Sequence, residues 1–305
     1  MEQTDDALTA ILQRLRLRAG VYVHADFCGT WAVDTSGHRK VPFHLVGRGR
    51  GWLHTGDTEE PRLLSTGDLV VFPHDAHHTI ASCDVPPPAS LINQPVDPEA
   101  EGPVTSMLCG FFEFQSKAAW PLLDGLPDII VLDLQEAGRV MGTPSLIQLM
   151  ISELENAGPG VDAAINQLAY VLFIHVLRAE MQRGLDHGLL CALSDPKIGR
   201  ALNLIHAEAA AGWTLETLAK EIAMSRSAFA GRFKQLVGMT PMRYLTEWRM
   251  QEAVDLLQTT GLSIATIAER CGYTSEVAFR KAFRSVIGVP PGRFRRMSRS
   301  SSQSD

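Results

Sequence analysis

The strongest constraint on this chain of 305 residues is a unit written twice near its C-terminus. Leu218-Ala219, Ser225, Phe229, Phe233, Gly238 and Pro241 are answered by Ile267-Ala268, Ser275, Phe279, Phe283, Gly288 and Pro291. From the serine onward every pair is offset by 50 residues; the Leu-Ala and Ile-Ala pairs are offset by 49, so the second copy carries one more residue before its serine. Each copy reads as helix, tight turn, helix. Thr214 and Ser263 can cap a short first helix, because each hydroxyl accepts from an unpaired N–H of the first turn. Leu215, Leu218, Ala219 and Ile222 share one helical face, as do Ile264, Ile267 and Ala268. Ser225 and Ser275 stand where the second helix begins. Phe229, Phe233 and Leu236, or Phe279, Phe283 and Ile287, form its buried stripe. Gly238 and Gly288 stop that helix, and Pro241 and Pro291 prevent its resumption. A helix-turn-helix has this form, with the outer face of its second helix free for the major groove.

The stretch LAKEIAMSRSAFAGRFKQLVGMTPMRYLTEWRMQEAVDLLQTTGLSIATIAERCGYTSEVAFRKAFRSVIGVPPGRFR resembles the AraC/XylS family of bacterial transcription regulators. IAERCGYTSEVAFRKAF and GVPPGRFR carry the likeness most specifically, and it spans roughly the last third of the chain. The resemblance implies two helix-turn-helix modules joined by one rigid helix, about Pro241 to Gln258. Each module would present a helix to one of two successive major-groove segments, and activation is the family's commoner mode. The outward positions are then the expected DNA contacts: Arg226, Ser227, Ala230, Gly231 and Lys234 in the first module, and Glu276, Val277, Arg280, Lys281 and Arg284 in the second. The first set is small at its centre, which suits thymine methyls or backbone, while its two cations lie where phosphate contact is expected. In the second set Glu276 can accept from a cytosine amine, and Arg280 or Lys281 can donate to guanine. Phe229, Phe233, Phe279, Phe283, Leu218 and Ile267 are expected core, and Trp213, Trp248 and Tyr273 packing residues. Arg293, Arg295 and Arg296 are candidates for further phosphate contacts.

Charge supports this division. The net charge is −6, yet residues 197–305 hold 16 Lys and Arg against 9 Asp and Glu, leaving 12 basic and 25 acidic residues before them. The cations are thus gathered where phosphates must be met. The five cysteines, Cys28, Cys83, Cys109, Cys191 and Cys271, are scattered without a CxxC pair, which points to a reducing compartment. No signal peptide is expected at the start of the chain, and no apolar run is expected to span a bilayer. A cytoplasmic location without a membrane partner is expected.

The N-terminal part predicts a short amphipathic helix, about Asp6 to Leu17, with Leu8, Ile11, Leu12 and Leu15 on its apolar side. Short strand-like segments follow at Val21–Phe27, Thr30–Asp34, Phe43–Val46, Gly51–His54, Arg62–Leu64, Leu69–Phe72 and His78–Ala81, which predict an antiparallel sandwich or small barrel. GDLVVFPHDAHH resembles the second cupin motif, with Asp75 where a glycine is usual. VPFHLVGRGRGWL resembles a degraded first motif that keeps His44 but lacks its second histidine and its glutamate. The segment, with CGFFEF and PLLDGLPDII, is similar to the cupin-type domain found ahead of some AraC-family DNA-binding domains. His44, His78 and Cys109 can converge inside such a barrel, where two imidazoles and a thiolate would suit zinc or a similar divalent metal. A metal-free effector pocket or a vestigial barrel is the competing expectation, and His74 and His77 read as loop residues.

An acidic, proline-rich loop from Asp84 to Gly102 is expected to be exposed and mobile. Two helices are predicted at Pro144–Asn156 and Val161–Arg183. The second is apolar around most of its circumference, so it is expected to be buried, either against a second copy of the chain or on the barrel itself. The fold class is therefore α+β and multidomain. A cupin-like sensor or dimerisation domain covers residues 1–134 and a helical linker 135–195. An all-α DNA-binding domain covers 196–297, with Asp195-Pro196 at the boundary, and a disordered Ser-rich tail 298–305. The partners implied are operator DNA, RNA polymerase, a second copy of the chain and a small-molecule effector. The alternative is a cupin metalloenzyme with an attached DNA-binding domain.

Overall fold

A computed structural model describes residues 6–14, 17–56, 60–95, 101–114, 120–133, 143–156 and 158–301. The chain forms two compact units: residues 15–185, and residues 1–14 together with 186–305. All five cysteines are free.

α1 (Ala7–Arg14) opens the chain. The strands of the first unit are β1 (Leu17–Phe27), β2 (Ala32–Val33), β3 (Val41–Arg48), β4 (Arg50–His54), β5 (Arg62–Ser65), β6 (Asp68–Val71), β7 (Thr79–Ala81) and β8 (Thr105–Phe114). α2 (Trp120–Leu123), β9 (Ile130–Asp133), α3 (Thr143–Glu155) and α4 (Val161–Arg183) complete it. The strands make two antiparallel sheets, ordered β1-β8-β3-β6-β9 and β2-β7-β4-β5. Phe27, Trp31, Val46, Leu53, Leu64, Val70, Phe72, Ile80, Met107 and Cys109 fill the space between them. β3 is buried from Val41 to Val46 because both of its faces are covered. His44 and Val46 take the inner face, while Phe43 stacks on Phe112, which packs on Phe173 of α4. Asn166 of α4 accepts from the Ala19 N–H at 2.6 Å, tying the helix to β1.

α4 is the described helix long and apolar enough, by length and composition, to cross a membrane. That differs from the expectation that no run would qualify. Here Ile165, Ala169, Leu172, Phe173, Val176 and Leu177 are its buried side, so its apolar residues serve the sheet. Of the two packings expected for this helix, the one on the barrel is observed.

Two features of this unit depart from expectation. Asp75 has φ 56, and its carboxylate accepts from the Gly37 N–H at 3.0 Å and the Arg39 N–H at 2.6 Å. An aspartate tolerates the left-handed region and adds a clamp that glycine lacks. The loop after β7 is pinned at Asn93, whose side chain accepts from the Asp34 N–H and donates to the Asp34 carbonyl; residues 96–100 lie outside the described residues. Residues 134–142, where the sensor was expected to give way to the linker, also lie outside them.

The second unit contains α1, α5 (Leu189–Ser194), α6 (Ile198–Ala207), α7 (Leu215–Glu221), α8 (Arg226–Val237), α9 (Pro241–Thr259), α10 (Ile264–Arg270), α11 (Glu276–Ile287) and α12 (Pro291–Ser301). α1 packs against α6, burying Ala7, Ile11 and Leu12, and the Ala7 N–H donates to Asn203 at 2.7 Å. The first helix thus belongs with the C-terminal unit rather than with the sheets, and Leu15 lies outside the described residues. The unit also begins some ten residues before Asp195. The Gly188 N–H donates to the Leu236 carbonyl at 2.9 Å, and Leu189, Leu190 and Ala192 are buried. α12 continues through Ser301, into the segment expected to be disordered, with the Ser298 hydroxyl donating to the Phe294 carbonyl. Residues 302–305 lie outside the described residues.

Candidate nucleic-acid interface

Both copies of the repeated unit fold as helix, turn, helix. In the first, Thr214 accepts from the Thr217 N–H at 3.1 Å and Thr217 Oγ1 accepts from the Thr214 N–H at 2.9 Å, a reciprocal cap. In the second, Ser263 accepts from the Thr266 N–H at 3.0 Å. Ser225 and Ser275 cap α8 and α11 by accepting from Ala228 and Ala278. Gly238 and Gly288 end these helices at φ 81 and φ 88, the left-handed cap that glycine adopts without steric cost. Phe229, Phe233, Phe279 and Phe283 are fully buried.

The turns differ where the repeat slips by one residue. The first turn, Ile222 to Met224, places Ala223 at φ 52; the second, Cys271 to Thr274, uses Gly272 at φ 78. A Cβ on Gly272 would lie 2.5 Å from the Ala210 carbonyl oxygen, so glycine is required there for close approach as well as for φ. The same loop is held from α9, the helix joining the modules. Arg249 donates through Nε to the Ala209 carbonyl at 2.6 Å and through a terminal N–H to the Ala211 carbonyl at 2.7 Å. Its guanidinium lies 5.7 Å from the centre of the Tyr273 ring. Arg249 therefore braces the joining helix, the loop after α6 and the second turn against one another. Trp248, beside it in sequence, stacks on His206 at 3.8 Å.

Of the ten outward residues expected on α8 and α11, eight are exposed, and Ala230 and Glu276 are partly buried. On α11, Val277 is 78% exposed, an aliphatic side chain held out in solvent. Arg280 donates through Nε to Glu276 at 2.6 Å, one helical turn away. The carboxylate expected to accept from a cytosine thus already orients an arginine. Lys281 and Arg284 form no ion pair among the described residues. On α8 the outer face is small at Ser227 and Gly231, and its N-terminal cation, Arg226, is paired with Glu216 of α7. Arg232 donates to Asp195 Oδ2 at 3.1 Å, while Asp195 Oδ1 accepts from the Lys197 and Ile198 N–H groups at 3.0 and 2.9 Å. This aspartate thereby caps α6 and anchors α8. Arg295 turns inward and donates to the Leu262 carbonyl at 2.6 Å, whereas Arg293 is exposed.

The interior of the first unit holds a second polar constellation. His44 Nε2 and His78 Nε2 are 2.9 Å apart, and the Thr35 hydroxyl lies 3.2 Å from the first and 3.3 Å from the second. His78 Nδ1 is 2.8 Å from the Ala76 carbonyl. A carbonyl only accepts, so Nδ1 carries the proton and His78 Nε2 is an acceptor. His44 Nε2–H then donates to it, and His44 Nδ1 is left as a buried lone pair without a partner. Burial, and then the neighbouring His78, hold His44 well below the usual imidazole range. Burial likewise lowers His78, which stacks on Phe72 at 3.6 Å.

The expected donor set of His44, His78 and Cys109 does not assemble. Cys109 faces His44 across the β3–β8 ladder, but it sits in the apolar cluster, and burial pushes its thiol up to about 12. Among the described residues no three His, Cys, Asp or Glu side chains gather in an arrangement that could hold a metal ion. Two imidazoles and a hydroxyl fall short of the three or four nitrogen, sulfur and carboxylate ligands that a zinc-like ion takes. His74 and His77, expected as loop residues, bond to the Leu126 carbonyl and the Ser36 hydroxyl.

Sequence reasoning missed Arg249, Glu216 and Thr35, which act on residues brought near by folding and stand in no motif that would single them out. Asp195 was read only as a boundary, and its bond to Arg232 is long-range.

Comparison with known proteins bears on both units. A cupin family model matches residues 6–182, and a helix-turn-helix domain model matches residues 218–297. An AraC-like transcription regulator of Streptomyces lividans is 32% identical over 307 residues, covering 97% of this chain and 98% of that protein. The transcriptional regulator AlkR of Acinetobacter baylyi is 29% identical, covering 96% of this chain and all of that one. Among solved structures, the DNA-binding domain of AdpA in complex with a target DNA aligns with a TM-score of 0.35 and 31% identity, covering 36% of this chain and 98% of that one.

Proposed function

This chain belongs to the family of AraC-type transcription regulators with a cupin domain at the N-terminus, and from that premise we infer that its two DNA-binding modules divide the work. The chain is a DNA-binding transcription regulator. In our reading the second module reads base edges, through Val277, Arg280, Lys281 and Arg284 with Glu276 orienting Arg280. The first module holds the DNA backbone, through Arg226 and Lys234, with Ser227, Ala230 and Gly231 allowing close approach. The observation that carries this is the contrast between the two exposed faces: long cationic and aliphatic side chains along α11, small ones at the centre of α8.

Selection of bound sites from random duplex DNA with the full-length protein tests the division. The expected result is one sharply defined box, with a degenerate box about ten base pairs away on the same face. Two boxes of equal information would overturn it.

The relatives named above are transcription regulators, and we give the cupin unit a sensing role in the cytoplasm rather than a catalytic one. Leu149 and Val171 are apolar and exposed at 48% and 39% on α3 and α4, and we place self-association of two copies there. Sedimentation of Val171→Asp checks it, since an unchanged dimer would move the interface elsewhere. Recruitment of RNA polymerase, and hence activation, is read from a promoter fusion carrying the selected site.

A further inference from the structure

The five-stranded sheet carries a cleft that the barrel interior does not share. Its volume is about 580 Å³, and it lies between α3 and the outer face of β1, β8 and β3. That size suits a small organic ligand.

The ladder registers build its floor. Ser106 of β8 pairs with Asp26 of β1 on one side and with Arg48 of β3 on the other, so carboxylate, hydroxyl and guanidinium stand in one row across three strands. Ser106 donates to Asp26. The register shift between Val46 and Arg48 turns Arg48 onto this outer row, whereas Val46 belongs to the barrel core. The opposite wall is α3, which presents Ile151 and, one turn later, Glu155. Leu108, next to Ser106 on the same face, gives the floor an apolar patch. Neither Arg48 nor Glu155 forms an ion pair among the described residues, although both line one cleft.

Charges of opposite sign that line one cleft without meeting are complementary to a molecule that carries both signs. A simple anion would satisfy Arg48 alone, and a simple cation only the carboxylates. We propose that this cleft is the effector site, and that it takes a small zwitterion of the amino-acid class. The ligand's carboxylate is held by the Arg48 guanidinium, which suits carboxylate geometry. Its ammonium lies between Asp26 and Glu155, and its side chain rests on Leu108 and Ile151. This rests on the reading of the cupin unit as a sensor, but it places the ligand outside the barrel, beneath α3.

Thermal unfolding of the full-length protein, with each of the twenty L-amino acids as probe and with acetate and ethylamine as single-charge controls, tests the proposal. At a hundredfold excess over Kd, at least one amino acid should raise the unfolding temperature of the cupin unit by about 5–10 °C, and neither control should. Arg48→Met and Glu155→Gln replace exposed side chains, so their ligand-free unfolding temperature should match the parent. Each should weaken binding about 10–100-fold, which cuts the shift at the same ligand concentration to about half or less. A shift undiminished in both variants puts the ligand elsewhere and overturns the site while leaving the sensor reading intact. Silence from all twenty overturns the ligand class. A neutral small-molecule fraction of cell extract, run in the same assay, then separates the two failures: a shift there keeps the sensor and removes this cleft, and no shift removes both.

Discussion

The two helix-turn-helix modules share a skeleton and differ at almost every point that faces outward or bends the chain. Both bury two phenylalanines in the second helix and end it on a left-handed glycine. Their turns are built differently: the first forces Ala223 into the left-handed region, while the second has an extra residue and a glycine there. Their outer faces differ more. α11 carries Val277, Arg280, Lys281 and Arg284 where α8, 50 residues earlier, carries Ser227, Ala230, Gly231 and Lys234. Packing is repeated because any such module needs the same core. The surface is free to diverge because nothing in the fold depends on it.

Changes to the shared core should act alike in both modules and have the largest effect. Phe233→Ala and Phe283→Ala each remove a fully buried ring and should cost about 3–5 kcal/mol of stability. Chemical denaturation of both variants checks it, and a loss confined to one would break the symmetry of the cores.

Next come changes to the faces, where the modules should part. Arg280→Ala should weaken binding to the selected operator by about 1–3 kcal/mol and relax preference at one base position. Ser227→Ala, at the position of Val277, should leave affinity within about 0.5 kcal/mol. Titration against operator and scrambled duplexes measures both, and a large loss for Ser227→Ala would give the first module a reading role.

The turns supply a contrast in sign. Gly272→Ala meets both a positive φ and the Ala210 carbonyl, and should destabilise by about 1–3 kcal/mol. Ala223→Gly relieves a left-handed alanine and should change stability by no more than about 1 kcal/mol, in the stabilising direction. Equal losses from the two would mean that the inserted residue, not the glycine, sets the second turn. Lys234→Ala should act on every duplex alike. It should weaken binding equally for all sequences and lower the slope of log K against log salt by about 1; a sequence-dependent loss would make Lys234 a base contact.

Much of this architecture was legible beforehand because it is local. Capping hydroxyls, helix-ending glycines and phenylalanines at helical spacing act within a few residues of themselves, and the modules fold as those signals direct. The strands up to β7 were legible for the same reason, although β1 runs longer than its pattern suggested, and β8 and β9 lie outside the segments expected as strands. The interior site was read only in part. His44 and His78 do meet, but the third member is Thr35, a residue with no motif around it, while Cys109 sits in an apolar wall. Which side chains converge across a barrel depends on strand register and on bulges, and neither is written in a short window of sequence.

The sequence by itself determined that two helix-turn-helix modules are present, where their helices start and stop, which residues form their cores, and which faces look outward. The tertiary structure alone decided that α1 joins the C-terminal unit through Asn203 and that Arg249 braces the loop after α6 against the second turn. It also decided that α4 spends its apolar side on the sheet, and that Asp26, Ser106 and Arg48 fall in one row. The physical reason is range. Helical periodicity and capping depend on neighbours three or four residues away, whereas a carbonyl offered to a distant arginine, or a charge left facing an open cleft, exists only once remote segments have been packed together.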